Sequence, residues 1–303
     1  MPRSWYTPLV VVFWCIATGW LVVDKILPTL RSRPPATYRA LHAVGGDYPP
    51  VAWNVRWDDR PIGTAVSRST LLPAGGLAVD SALVLQRVPL ADVVPPWLRA
   101  IVEQGLPAAR QFALDARGRT SIDARGRLEG FRTTVVLPDS GETFLVDGTV
   151  ADGTLRVALE AGAFRYETSR PIPESLLLAD ELAPHASLPG LSVGQRWTAP
   201  VFNPLRGGSA AVALLDVHVE RETMLYADGQ PVTTRLVTFA DESAPGLPPR
   251  LRLWVDRAGR VLRQEAMLGS AVIAFQRRSD ADAVLLAEQL AGTVAAPSGA
   301  PSR

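Results

Sequence analysis

The chain is poor in the side chains that carry most enzyme chemistry. Its 303 residues include one cysteine, Cys15, three histidines, and a single lysine, Lys25. One thiol excludes a disulfide within the chain, and Cys15 lies in an apolar run, away from any polar nucleophile site. Without a lysine beyond residue 25, the Gly207-Gly208 pair cannot complete a Walker phosphate loop. His42, His185 and His218 are far apart, and none has a second histidine or a cysteine at metal-ligand spacing. No serine sits in a Gly-x-Ser-x-Gly elbow. A formal net charge of +1 provides no field of one sign to select nucleic acid. Close carboxylate pairs include Asp58-Asp59, Glu220 with Glu222, and Asp241-Glu242. These three fall in expected turns or at strand ends, where solvated carboxylates are ordinary. Glu220 and Glu222, two apart on a strand, are expected to share one face. These absences predict no catalytic residue, no metal ligand set, no cofactor and no nucleic-acid partner.

What is present begins with an uncharged run from Trp5 to Val23, followed by Asp24 and Lys25. Nineteen helical residues span roughly 28 Å, close to the hydrocarbon thickness of a bilayer. Trp5 and Tyr6 stand where one aromatic belt would hold them and Trp20 near the other, with Trp14 inside the run. Lys25 can reach the headgroups, and Gly19 beside Ala17 and Thr18 offers a small patch for helix packing. A signal peptide cut after Ala17-Thr-Gly19 fits less well, because the apolar run continues through Trp20 to Val23. The expectation is a short tail at 1–4, an uncleaved membrane helix at 5–27 and an extended Pro/Gly linker at 28–50. Arginines on both sides leave the positive-inside rule slightly against an external domain. A short N-terminal tail kept in the cytoplasm favours one, with the large domain on the periplasmic side of the inner membrane.

From Val51 the texture alternates. Trp53, Val55 and Trp57 recur at period two, and runs of about ten residues are separated by turn signals such as Arg125-Gly126, Asp228-Gly229 and Asp256-Arg-Ala-Gly259. This is the rhythm of an antiparallel meander, expected in two parts at 51–170 and 195–278. An irregular connection is expected at 171–194, including helical turns within 174–182, and a short helix with a disordered tail at 279–303. Asp115-Ala-Arg-Gly118 reads as a further turn, and Ala210–Val219 and Thr223–Tyr226 as separate strands. Pro95 to Gly105, with Trp97, Leu98, Ile101 and Val102 apolar, reads as one short helix covering the sheet. The fold class expected is mainly β: a single membrane helix followed by a long, strongly curved antiparallel sheet.

Three stretches resemble bacterial envelope domains with a LolA-like, unclosed β-barrel: Trp57-Asp-Asp-Arg-Pro-Ile-Gly63, Leu191-Ser-Val-Gly-Gln-Arg-Trp197 continuing to Pro204, and Leu253-Trp-Val-Asp-Arg-Ala-Gly-Arg-Val-Leu-Arg263. With the anchor, they resemble the region that precedes the transglutaminase-like domain in some membrane-anchored bacterial proteins. The resemblance implies an external curved sheet with a helix in or over its concave side. It carries no catalytic residue, since no cysteine lies outside the membrane run. The function expected is therefore non-catalytic: an accessory domain that binds an envelope protein or membrane complex. The alternative is lipid or lipoprotein binding in a hydrophobic cavity of the curved sheet, able to receive an acyl chain, and an envelope hydrolase is the least supported reading. Trp53, Trp57, Trp97, Ile101, Trp197, Phe202 and Trp254 are the candidate ligand or partner contacts, read against the plainer role of core residues.

Overall fold

The computed structural model describes residues 49–89, 111–173, 177–178, 184–202, 212–241, 246–268 and 271–294, together with Phe13, Trp14, Thr18 and Trp20. Among them no helix is long and apolar enough to cross a membrane. Most of the expected span at 5–27, including Trp5, Tyr6, Gly19 and Lys25, lies outside the described residues, as does the expected helix at 95–105. Phe13, Trp14, Thr18 and Trp20 are helical.

The first meander runs through β1 (Val51–Trp57), β2 (Arg60–Leu71), β3 (Leu77–Pro89), β4 (Gln111–Ile122), β5 (Leu128–Leu137), β6 (Glu142–Ala151), β7 (Thr154–Ala161) and β8 (Phe164–Pro171). The second comprises β9 (Leu177–Leu178), β10 (Arg196–Phe202), β11 (Val212–Ala227), β12 (Gln230–Asp241), β13 (Leu251–Asp256), β14 (Val261–Leu268) and β15 (Ala271–Arg277). All fifteen belong to one sheet. The first and last long strands pair at its centre, Val55 opposite Phe275, while β8 and β9 end it on either side and do not meet. Neighbouring strands are antiparallel, except that β9 runs parallel to β10.

Alternation makes the curl. Trp53, Val55, Leu83, Leu85, Leu114, Val217, Val237, Leu253, Ile273 and Phe275 join one buried cluster, although their strands are far apart in the sheet order. A flat sheet would leave this whole face in water, so the sheet is rolled around the core and left unclosed between β8 and β9. A smaller cluster, with Leu128, Phe131, Val146, Leu155, Val157 and Leu159, continues along β5–β7. The Ile62-Gly63 step fixes a close approach. A Cβ at Gly63 would lie 1.9 Å from the Val84 carbonyl oxygen, beside the register shift between Val55 and Arg56. On the outer face a C-terminal helix, α1 (Asp280–Val294), seats Ala283 on Ala52 and Val66.

Four expectations about local structure need correction. Asp115–Gly118 is not a turn but the middle of β4, paired with β3 on one side and β5 on the other. Leu177–Leu178 within the expected helical turns is a strand, because its backbone is taken up by Val201 and Phe202. Residues 212–227 form one strand rather than two, bent by a bulge between Val219 and Arg221. That bulge also separates Glu220 from Glu222, since an extra residue reverses the alternation. Glu220 accepts the Thr238 hydroxyl at 3.0 Å, whereas Glu222 stands 3.9 Å from Arg235.

Candidate interaction surfaces

The aromatic residues singled out from the sequence divide by face. Trp53 and Trp57 belong to the inner cluster, with Trp197 half-buried against it. Trp53, Val55, Val217, Leu253, Ile273 and Phe275 have no accessible surface, so no water-sized void adjoins them. Trp254 points outward instead, with the Arg263 guanidinium 5.4 Å over its ring. Phe202 is in β10, but its side chain, like Trp97 and Ile101 altogether, is outside the described residues. The structure thus unites Trp53, Trp57 and Trp197 and keeps Trp254 apart from them.

The irregular stretch 184–191 contributes to the core. Leu188 and Leu191 enter the main cluster, and the chain from Ala186 to Pro189 runs beside the β13–β14 turn. The Leu188 N–H donates to the Gly259 carbonyl at 2.7 Å, and the Val261 N–H to the Ala186 carbonyl at 3.2 Å. Gly259, at φ 86°, lies so close that a Cβ would sit 2.7 Å from the Pro189 Cα. Gln264 is fully buried on β14. Its Oε1 accepts the His185 backbone N–H at 2.9 Å and lies 3.1 Å from His185 Nδ1. Burial pushes the His185 pKa down, and the Gln264 contact only partly offsets this. Arg277 donates to the Ala186 carbonyl at 3.2 Å and to Asp280 at 3.4 Å. Its desolvation lowers the guanidinium pKa, against the opposing pull of Asp280. Gln264 was not legible beforehand: a single glutamine in an alternating strand has no signature, and the register shift between Trp254 and Val255 upsets the count of faces.

On the outside, a cleft of about 200 Å³ opens between the β11–β12 hairpin, the β13–β14 turn and the start of α1. Asp228 and Gly229, both at positive φ, close that hairpin as a type I′ turn would require. Tyr226 and Met224 on it are 72% and 59% exposed. Four arginines line the cleft, each tied to a carboxylate. Arg260 holds Asp256 at 2.8 Å, Arg263 holds Glu265 at 2.6 Å, Arg277 holds Asp280, and Arg278 holds Asp282 at 3.6 Å. The cleft is charge-balanced, with an exposed aromatic at its lip, an arrangement suited to polypeptide contact.

His218 sits on the outward face of β11, as its valine neighbours imply. Burial first, and then Arg196, lower its pKa, while Glu220 and Asp216 oppose them. Among the described residues no group of three or more His, Cys, Asp or Glu could hold a metal ion.

No family model matches the chain, and no curated protein matches it. Among solved structures, the chain is similar to a β-barrel-like protein of domain of unknown function DUF1849 from Brucella abortus. The two are 12% identical, aligned over 76% of this chain and 95% of the other, with a TM-score of 0.45. The unclosed sheet described above stands on its own strand order.

Proposed function

We propose that the chain is a membrane-tethered, externally facing LolA-like β domain that binds an envelope protein or membrane complex without transforming it. The observation that carries this reading is at the N-terminus. Phe13, Trp14 and Trp20 are helical yet 71%, 66% and 75% exposed, in a run with no charge from Trp5 to Val23. Three large rings left in water by the rest of the chain call for an apolar surrounding, and a bilayer supplies one. Support for recognition by a surface comes from the inner face, whose central side chains leave no void beside them, and from the exposed Tyr226 and Met224 next to the cleft.

The test compares the full chain with a variant starting at Pro28, both produced in a bacterial host. The full chain is expected to stay with membranes through an alkaline wash and to be cut by protease added outside the inner membrane. The shortened chain is expected to be released. Purified in mild detergent, the full chain should retain an envelope protein that Tyr226→Glu loses. A full chain recovered in the soluble fraction overturns the tether, and co-purifying lipid without protein overturns surface recognition.

A further inference from the structure

The terminal strand of the sheet, β8, carries a self-complementary pattern. Among the described residues β8 hydrogen-bonds to β7 and to no other strand, with Ala161 opposite Phe164 across a two-residue turn. The Ile172 N–H continues that ladder by donating to the Gly153 carbonyl at 2.8 Å. Even-numbered residues of β8 therefore turn their backbone groups toward β7, and Arg165, Glu167 and Ser169 turn theirs to the open margin. Arg165, Tyr166 and Glu167 are exposed, and the Arg165 Nε donates to Glu167 at 2.9 Å. Pro171, which has no N–H, comes only at the end of the strand.

We infer that β8 pairs antiparallel with β8 of a second copy of this chain, about a two-fold axis through Tyr166. Charge and backbone geometry select that axis. Only odd-numbered residues can exchange hydrogen bonds across the join. An axis through Arg165 opposes two arginines, and one through Glu167 opposes two glutamates, both destabilising. An axis through Thr168 brings Arg165 opposite a proline that cannot donate. The axis through Tyr166 sets Arg165 opposite the second copy's Glu167 and Glu167 opposite its Arg165. Each such pair exchanges two backbone hydrogen bonds, and the four charges meet on one face. The two Tyr166 rings then face each other at a non-hydrogen-bonded position, where opposed Cα atoms come within about 4.5 Å. The contact is isologous, so it closes as a dimer. It uses neither the N-terminal run nor the β11–β12 cleft, and it stands whether or not the proposed function does.

The test uses the full chain in detergent micelles, with mass followed by analytical ultracentrifugation across a dilution series. The wild type is expected to be dimeric. Arg165→Glu and Glu167→Arg should each weaken the dimer at least about tenfold, because each sets like charges opposite one another twice. The double exchange R165E/E167R should restore it. The two single variants, mixed, should form a heterodimer that neither forms alone, which also shows that both are folded. In a Cys15→Ser background, Tyr166→Cys should oxidise to a cross-linked dimer and Thr168→Cys should not. A monomeric wild type, single variants that remain dimeric, or cross-linking at 168 in preference to 166 overturns the inference.

Discussion

Gln264 shows how much can hang on one amide. Its Oε1 is the acceptor that spares the half-buried His185 backbone N–H from going unpaired, and it faces the imidazole as well. Gln264→Leu keeps the volume and removes the acceptor, so a loss of about 1–3 kcal/mol is expected in urea unfolding. The same locus sets a pH dependence. The folded chain resists protonating His185, whose pKa lies below the ordinary 6.5. The unfolded state therefore takes up the proton first as pH falls. This contribution to stability is complete above 6.5, shrinks as pH drops below it, and levels off at the folded-state value. Urea midpoints at successive pH values should fall on acidification for the wild type and fall less for His185→Asn. An unchanged slope in the variant assigns the dependence elsewhere, His218 being the next group depressed in the same direction.

At the scale of elements, the chain contains its own control. Asp-Ala-Arg-Gly-Arg occurs twice, at 115–119 and at 123–127, and the two copies fold differently. In the second, Asp123 Oδ1 accepts the Arg125 and Arg127 backbone N–H groups, both at 2.8 Å, and Oδ2 takes the Arg127 guanidinium. Burial alone would raise this carboxyl, but hydrogen bonds from Arg127 and Arg125 outweigh it and hold the pKa below 3.8. In the first copy the backbone is taken by β3 and β5, and Asp115 meets Arg117 at 3.4 Å, its one side-chain partner among the described residues. Asp123→Ala should therefore cost about 1–2 kcal/mol, and Asp115→Ala no more than about 0.5, in paired thermal melts. Equal costs would show that the turn does not depend on its carboxylate. This pair marks the limit of legibility. Turn chemistry and alternation located the two meanders and three of their joints: Arg125-Gly126 between β4 and β5, Asp228-Gly229 between β11 and β12, and Asp256 to Gly259 between β13 and β14. An identical pentapeptide cannot announce which copy a neighbouring strand will claim, because that choice is tertiary. The bulge after Val219 escaped for a similar reason: no residue type demands it, yet it decides which partners Glu220 and Glu222 find.

For the whole molecule, the informative contact is the one between β1 and β15. No local signal pairs strands at opposite ends of a meander. The alternation in Trp53, Val55 and Trp57 disclosed a face to be buried but not the strand beside it, and so the grouping of Trp53 and Trp57 with Trp197 was legible only in part. With the main cluster centred on that join and a smaller one serving β5–β7, protection is expected to be uneven. In native-state hydrogen exchange of the Arg165→Glu chain, in which β8 is left at the edge of the sheet, amides of β1, β14 and β15 should open only with global unfolding, while those of β7 and β8 should open earlier. Uniform protection from β1 to β8 would contradict this. The same join bears on how the chain is made. The Val272 N–H donates to the Asp58 carboxylate across 214 residues of sequence. At ribosomal speeds of about 5–20 residues per second, the earliest strand waits roughly 10–40 s for its second neighbour to be synthesised. Throughout that interval one flank of β1 is bare, and a holding chaperone has a defined stretch of nascent polypeptide to guard.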